Sequence, residues 1–295
     1  MSTMRIIFSI GFLFFLLSCN NKMIVENSNI TSFESPTKTF APDYTVLQVW
    51  ELPDELVEIS GNVLIDNNRM ACIQDNKGII FIYNLKTKLI ESTIPFAEDG
   101  DFEGLCKVGK VFYALRSDGL LFEINLKGND KPIVTTFDLP FETINDTEPM
   151  CYDSLNNRIL IGTKGKDITE QFKKGIYSFD LSTKTLGKQA VFYFENIEEE
   201  LANGKNKKEN KKGKKQTLNP SEIAVNYHTK ELYILSGQQS QLIIANATGK
   251  IKSIIQLDKK VFPQPEGMCI SSNGDLYISS EGGKRTKGII AKVQL

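Results

Sequence analysis

Phe102-Glu103-Gly104-Leu105-Cys106 and Pro265-Glu266-Gly267-Met268-Cys269 are two copies of one pattern: a ring residue, glutamate, glycine, an aliphatic residue and cysteine. Three looser copies read Val57-Glu58-Ile59-Ser60-Gly61, Thr147-Glu148-Pro149-Met150-Cys151 and Ser221-Glu222-Ile223-Ala224-Val225. Their glutamates lie 45, 45, 74 and 44 residues apart. The long interval exceeds 45 by 29 and holds a lysine-rich run, so it reads as one repeat plus an insertion. Residues 44–295 number 252; without those 29 they leave 223, close to 45 for each of five units. A period of about 40–45 residues with four strands per unit is what a β-propeller blade needs.

The content of each interval agrees. After Glu103 come Leu105–Val108, Val111–Arg116, Leu120–Leu126 and Ile133–Leu139, β-rich runs broken by Gly-Lys, Ser-Asp-Gly and Gly-Asn-Asp turn signals. The fourth unit gives Ile223–Asn226, Glu231–Ser236, Gln241–Asn246 and Ile251–Leu257. The fifth offers three runs, Met268–Ser271, Asp275–Ser280 and Gly288–Gln294. Its missing strand is assigned to Thr45–Leu52, near the start of the folded region, which would close the ring and remove two exposed edges. The sequence therefore predicts an all-β fold, a five-bladed β-propeller of four-stranded blades closed by an N-terminal strand.

Residues 1–18 precede that fold. A short charged start, an apolar run from Ile6 to Leu17 and a small residue describe a secretory signal. The run is shorter than the roughly 20 residues that span a bilayer as a helix. Leu16-Leu17-Ser18-Cys19 resembles the bacterial lipobox, which implies cleavage before Cys19 and lipid attachment to its thiol. Residues 19–43 then read as the lipidated cysteine and an aperiodic tether rich in Asn, Ser, Thr and Pro. The expected location is the bacterial cell envelope, anchored to membrane. The insertion at 198–217 carries Lys205, Lys207, Lys208, Lys211, Lys212, Lys214 and Lys215. It cannot bury a core and is expected to be disordered, either simply solvated or touching anionic headgroups.

The first strand of a propeller blade lines the central channel, so a glutamate at one place in every repeat puts Glu58, Glu103, Glu148, Glu222 and Glu266 around a single opening. Their mutual repulsion would raise their pKa values unless a cation sits among them. Calcium, a hard ion taking roughly 6–8 oxygen ligands with loose geometry, is the natural candidate. The other possibility is a structural ring in which each glutamate caps a neighbouring blade. The loop after each second strand should open on the same face, supplying Asp75, Arg116, Lys164, Glu281 and Arg285. Arg116 and Lys164 could receive an anionic group or merely neutralise the ring through ion pairs.

Composition removes other chemistry. Lys plus Arg is 35 against 36 acids, which argues against a nucleic-acid partner. The single histidine, His228, excludes a site built from two imidazoles, and it falls in a turn expected at the opposite face. With Cys19 lipidated, Cys72, Cys106, Cys151 and Cys269 remain, and the repeat setting of the last three favours packing between blades over disulfides.

The repeated Glu-Gly-Leu/Met pattern, with Glu58-Ile59-Ser60-Gly61 early and Pro220-Ser221-Glu222-Ile223 later, resembles the SdiA-regulated protein family of bacterial envelope β-propellers. The resemblance spans roughly residues 44–295. It implies the propeller and a calcium ion near the repeat glutamates, but no substrate; the lysine-rich insertion departs from the pattern. Three functions fit: a calcium-stabilised binding module for an anionic small molecule or an envelope protein, a scaffold for an envelope complex, and a calcium-dependent hydrolase of phosphoesters or lactones. In the last, a ring glutamate would act as base. Lactonase propellers mix Asp and Asn ligands with one Glu, whereas these five heads are all Glu, which favours binding over catalysis.

Overall fold

Every short run of β-branched and aromatic residues identified above forms a strand in the computed structural model, which describes residues 43–127, 131–170, 173–194 and 218–295. The signal segment, Cys19, the tether up to residue 42 and the lysine-rich stretch lie outside the described residues. Among the described residues no helix is long and apolar enough to cross a membrane.

Blade 1 is β2 (Ile59–Leu64), β3 (Arg69–Gln74), β4 (Ile79–Asn84) and β5 (Leu89–Pro95). Blade 2 is β6 (Phe102–Val108), β7 (Val111–Arg116), β8 (Leu120–Asn125) and β9 (Ile133–Asp138). Blade 3 has β10 (Thr147–Asp153), β11 (Arg158–Thr163) and β12 (Gly175–Asp180), with its outer strand broken into β13 (Thr185–Leu186) and β14 (Phe192–Tyr193). Blade 4 is β15 (Pro220–Asn226), β16 (Glu231–Ser236), β17 (Gln241–Ala245) and β18 (Ile251–Gln256). Blade 5 combines β19 (Pro265–Ile270), β20 (Leu276–Ser280) and β21 (Ile289–Gln294) with β1 (Thr45–Glu51) as its outer strand.

All pairings within the blades are antiparallel, and the inner strands β2, β6, β10, β15 and β19 each pack against the next, with β19 returning to β2. The N-terminal strand closes the ring as its position in the sequence requires. It runs from Thr45 opposite Gln294 to Glu51 opposite Ile289. Trp50, nearly buried, donates its indole N–H to the Leu85 carbonyl of blade 1 at 2.7 Å and lies against Tyr277 of blade 5. This strand thus joins blades 5 and 1 through the seam that Trp50 enters.

Inner strands are buried on both faces whereas outer strands such as β5 and β9 alternate exposed and half-buried positions. The apolar side chains therefore collect between blades, in five clusters, one at each seam. Phe96, Phe102 and Phe122 stack edge-on or tilted at the seam of blades 1 and 2, with centroids 5.1–5.7 Å apart. Cys106, Cys151, Cys72 and Cys269 are buried free thiols in these seams, and burial pushes each of them above the usual thiol range. His228 sits exposed in the turn after β15, at the other end of the inner strand from Glu222, with Nε2 3.0 Å from the Ser272 carbonyl.

Candidate functional site

Each inner strand begins with the same irregularity. One residue too many stands opposite the second strand between Ile59 and Gly61, Phe102 and Gly104, Thr147 and Met150, Pro220 and Glu222, and Pro265 and Gly267. Such a bulge re-aims a side chain, and it fixes the true register of the repeats. The equivalent positions are Ser60, Glu103, Glu148, Ser221 and Glu266. The expectation of five equivalent glutamates is corrected here: three blades carry glutamate at the bulge and two carry serine. Ser60 donates to the Phe102 carbonyl at 2.7 Å and Ser221 to the Pro265 carbonyl at 2.9 Å, the same bond to the next blade.

Glu58 and Glu222 are the two that slip out of register. Glu58 lies two residues before Ser60, exposed at the rim, at the position that Asp101, Asp146, Asn219 and Gln264 hold in the other blades. Glu222 lies one residue after Ser221, where the other blades have Gly61, Gly104, Pro149 and Gly267. That position is cramped: a Cβ on Gly104 would come within 2.8 Å of Met150 Cβ, and one on Gly267 within 2.4 Å of Ser279 Oγ. Glu222 instead turns into the seam between blades 3 and 4. It is fully buried, with Oε1 accepting the backbone N–H groups of Met150 and Ile223 at 2.9 and 2.8 Å.

The residues after each second strand also fall into register, because each donates its N–H to the rim residue of its blade. Asp75 bonds to Glu58, Ser117 to Asp101, Lys164 to Asp146 and Glu281 to Gln264. Ser117, and not Arg116, is thus the counterpart of Lys164 in blade 2. Arg116 ends β7, and its guanidinium makes two bonds to Asp118, at 2.9 and 2.8 Å, turned into its own hairpin. Arg285 lies exposed in the loop after Glu281.

Lys164 is the charge that the acids share. Its backbone is pinned to Asp146, which has the left-handed φ of 50°, and the next two N–H groups bond to Asn145 and Ile144. From there its ammonium pairs with Oε1 of Glu148. Burial works to lower the Lys164 pKa, but Glu148, Glu266 and Glu103 outweigh it and hold the amine above its ordinary value. Lys174 packs behind, donating to the carbonyls of Lys164 and Gly165.

The carboxyls outnumber this ammonium. Burial, with Asp101 beside it, pushes Glu103 up to about 8. Burial and Glu103 raise Glu148 well above the carboxylate range despite Lys164. Burial also raises Glu266, against the pull of Lys164. Glu281 reaches about 8 through burial and the nearness of Glu266, Asp75 and Glu58, and Asp75 reaches about 6 through burial and Glu58. Oε2 of Glu148 is buried and has no hydrogen-bond partner, as is Oε2 of Glu222.

Sequence reasoning missed Asp101, Asp146, Ser60 and Ser221. The signal was present in the acid-x-acid spacing of Asp101-Phe102-Glu103 and Asp146-Thr147-Glu148, and in its variant Glu58-Ile59-Ser60.

The chemistry of this mouth suits a hard cation. Its donors are carboxyl oxygens, one of them buried and unpartnered, and the carboxyls outnumber the one ammonium of Lys164. Among the described residues no three carboxylates, imidazoles or thiols are already drawn together around one point. Glu103, Glu148 and Glu266, in register at the bulge, are the residues that could hold such an ion once their side chains draw together.

Solved structures share the architecture. The glutaminyl cyclase of Myxococcus xanthus matches with a TM-score of 0.58 at 14% identity, over 85% of this chain and 95% of its own. The PQQ-bound aldose sugar dehydrogenase of Streptomyces coelicolor matches with a TM-score of 0.56 at 11% identity, over 86% and 99%. At such identities the likeness is one of fold. No curated protein matches this chain. The model of SdiA-regulated proteins, by contrast, matches residues 65–283, from the first hairpin of blade 1 to the loop after β20. With four of the five bulged inner strands inside that match, the chain belongs to the SdiA-regulated family.

Proposed function

We propose that this chain is an envelope-anchored lipoprotein whose propeller is a calcium-dependent binding module. The observation that carries the reading is the charge imbalance at the channel mouth: Glu103, Glu148 and Glu266 stand in register around one shared ammonium, Lys164. Carboxyls buried together favour any state that neutralises them, by proton or by metal. Glu103, Glu148 and Glu266 would hold calcium through their oxygens; the bound ion would supply positive charge to the mouth.

That charge decides what can bind. Arg116 is engaged with Asp118 and Lys164 with Glu148, so neither cation is free to receive an anion. The acids Glu58 and Asp75 at the rim repel one as well. An anionic small molecule or an acidic group of an envelope protein is therefore expected to engage this face only when calcium is present. Orientation of that ligand would fall to the rim side chains, among them Gln264, whose amide already donates to Glu281 at 2.7 Å.

The test is thermal melting of the purified protein with calcium and with chelator. A ligand at a hundredfold excess over Kd stabilises by about 2.7 kcal/mol, roughly 5–10 °C for a domain of this size. Chelator should lower the midpoint by that order, and Glu103→Gln with Glu266→Gln should abolish the response. Unchanged melting, together with no metal by elemental analysis, would refute the calcium reading.

A further inference from the structure

Four of the five blades place Asp75, Ser117, Gly237 or Glu281 at the position just after the second strand; the fifth places Lys164 there. A single ammonium has thus been set into a ring position otherwise acidic or small. Its backbone is held in place, since three consecutive backbone N–H groups, those of Lys164, Gly165 and Lys166, bond to the segment Ile144–Asp146 in front of β10. The Asn145 amide completes the clasp by donating to the Lys166 carbonyl at 2.7 Å. Lys174 ties down the carbonyls of Lys164 and Gly165 from behind. From this fixed base Nζ rests on Oε1 of Glu148, within reach of the fields of Glu103 and Glu266.

We infer that Lys164 is the resident cation of the channel mouth and the competitor that sets its affinity for calcium. The inference rests on the calcium reading above and adds the residue that regulates it. Two cations cannot share one carboxylate cluster at short range without repulsion, which is strong where solvent is partly excluded. Calcium must therefore draw Glu148 away from Lys164, and the ammonium must swing toward solvent or toward a rim acid such as Asp146 or Glu281. Oε2 of Glu148, nearly buried and without a hydrogen-bond partner, is the donor left open on the very residue for which the two cations compete. In the absence of metal, Lys164 limits the repulsion among the three glutamates and keeps the mouth assembled. With metal it becomes a mobile positive arm at the rim, available to a bound anion. Affinity for calcium is thereby traded against stability of the calcium-free ring.

Calorimetric titration with calcium chloride at one neutral pH, on the wild type and on Lys164→Met, reads this directly. The variant is expected to bind calcium about tenfold or more tightly, while its calcium-free form melts below the wild type and recovers when calcium is added. Wild-type binding with equal or weaker binding by the variant overturns the role of Lys164 and leaves the calcium reading standing. No binding by either protein overturns the calcium reading, and this inference with it. Should the calcium-free variant fail to fold, the wild type answers by itself: acetylation of Lys164 by an amine-reactive ester, followed by mass spectrometry, should speed up when calcium is added. A rate at Lys164 that is unchanged or slowed, in protein shown to bind calcium, overturns the inference.

Discussion

Glu222 stands one step further along its strand than Glu103, Glu148 and Glu266, and that step changes its chemistry. It faces a seam where both donors to it are backbone amides and where Oε2 has no partner. Burial drives its pKa well above the ordinary value, against the help of the two N–H groups. A carboxyl raised in the folded state holds its proton there more tightly than in the unfolded chain. Stability from this group is thus fully present below the unfolded pKa, near 4.5, and declines as pH rises above it toward the folded value. Glu222→Gln, which keeps an acceptor for the two amides and cannot ionise, should flatten the fall of melting temperature between mildly acidic and mildly alkaline pH. An unchanged slope would show that Glu222 is not the group responsible. Spacing alone could not separate this residue from its neighbours. A repeat aligned on one glutamate tolerates a shift of one or two residues, and only the partner strand, through the bulge, tells which residue is extra.

Strands were legible where two features coincided, a β-rich run and a turn signal. β7 and β16 fall where the sequence puts them, while β6, β15 and β19 begin three residues sooner than expected. The bulge accounts for this: its polar residue reads as loop, yet the residues before it still pair. The broken outer strand of blade 3 was not legible, because β13 and β14 are two residues each and carry no pattern. β1 was legible only by subtraction, as the strand that blade 5 lacked. Its removal tests what closure is worth. A chain beginning at Pro53 loses Trp50 and Leu52 from the seam of blades 5 and 1, and deletion of one such large side chain alone costs about 3–5 kcal/mol. Such a chain should melt far lower and self-associate through β21, and a synthetic peptide of residues 43–52 should restore its melting temperature. Melting and gel-filtration behaviour like the full chain would show that the ring does not depend on this strand.

At the scale of the molecule, near-equal numbers of acids and bases conceal a strong local asymmetry. The mouth gathers Glu58, Asp75, Asp101, Glu103, Asp146, Glu148, Glu266 and Glu281 around Lys164. Composition could not reveal this, since it depends on five rims converging; the repeat period could, because it predicts which residues share an end. The remaining part of the proposal belongs to the anchor. Growth of expressing cells with labelled palmitate should label the protein, and Cys19→Ala should abolish the label; label retained on that variant would refute lipidation at Cys19.

Ring closure by β1 also has a consequence in time. The first strand of the propeller to be synthesised pairs with the last, so Thr45 waits for Gln294 while the rest of the ring is made. Until then four blades can stack, but the fifth lacks an edge and Trp50 has no seam to enter. Contacts that span almost the full chain are the slowest to form. A fold that closes through this pair would require a long-range search by the N-terminal segment, and a nascent chain stalled before β21 would be an open arc with an unburied tryptophan.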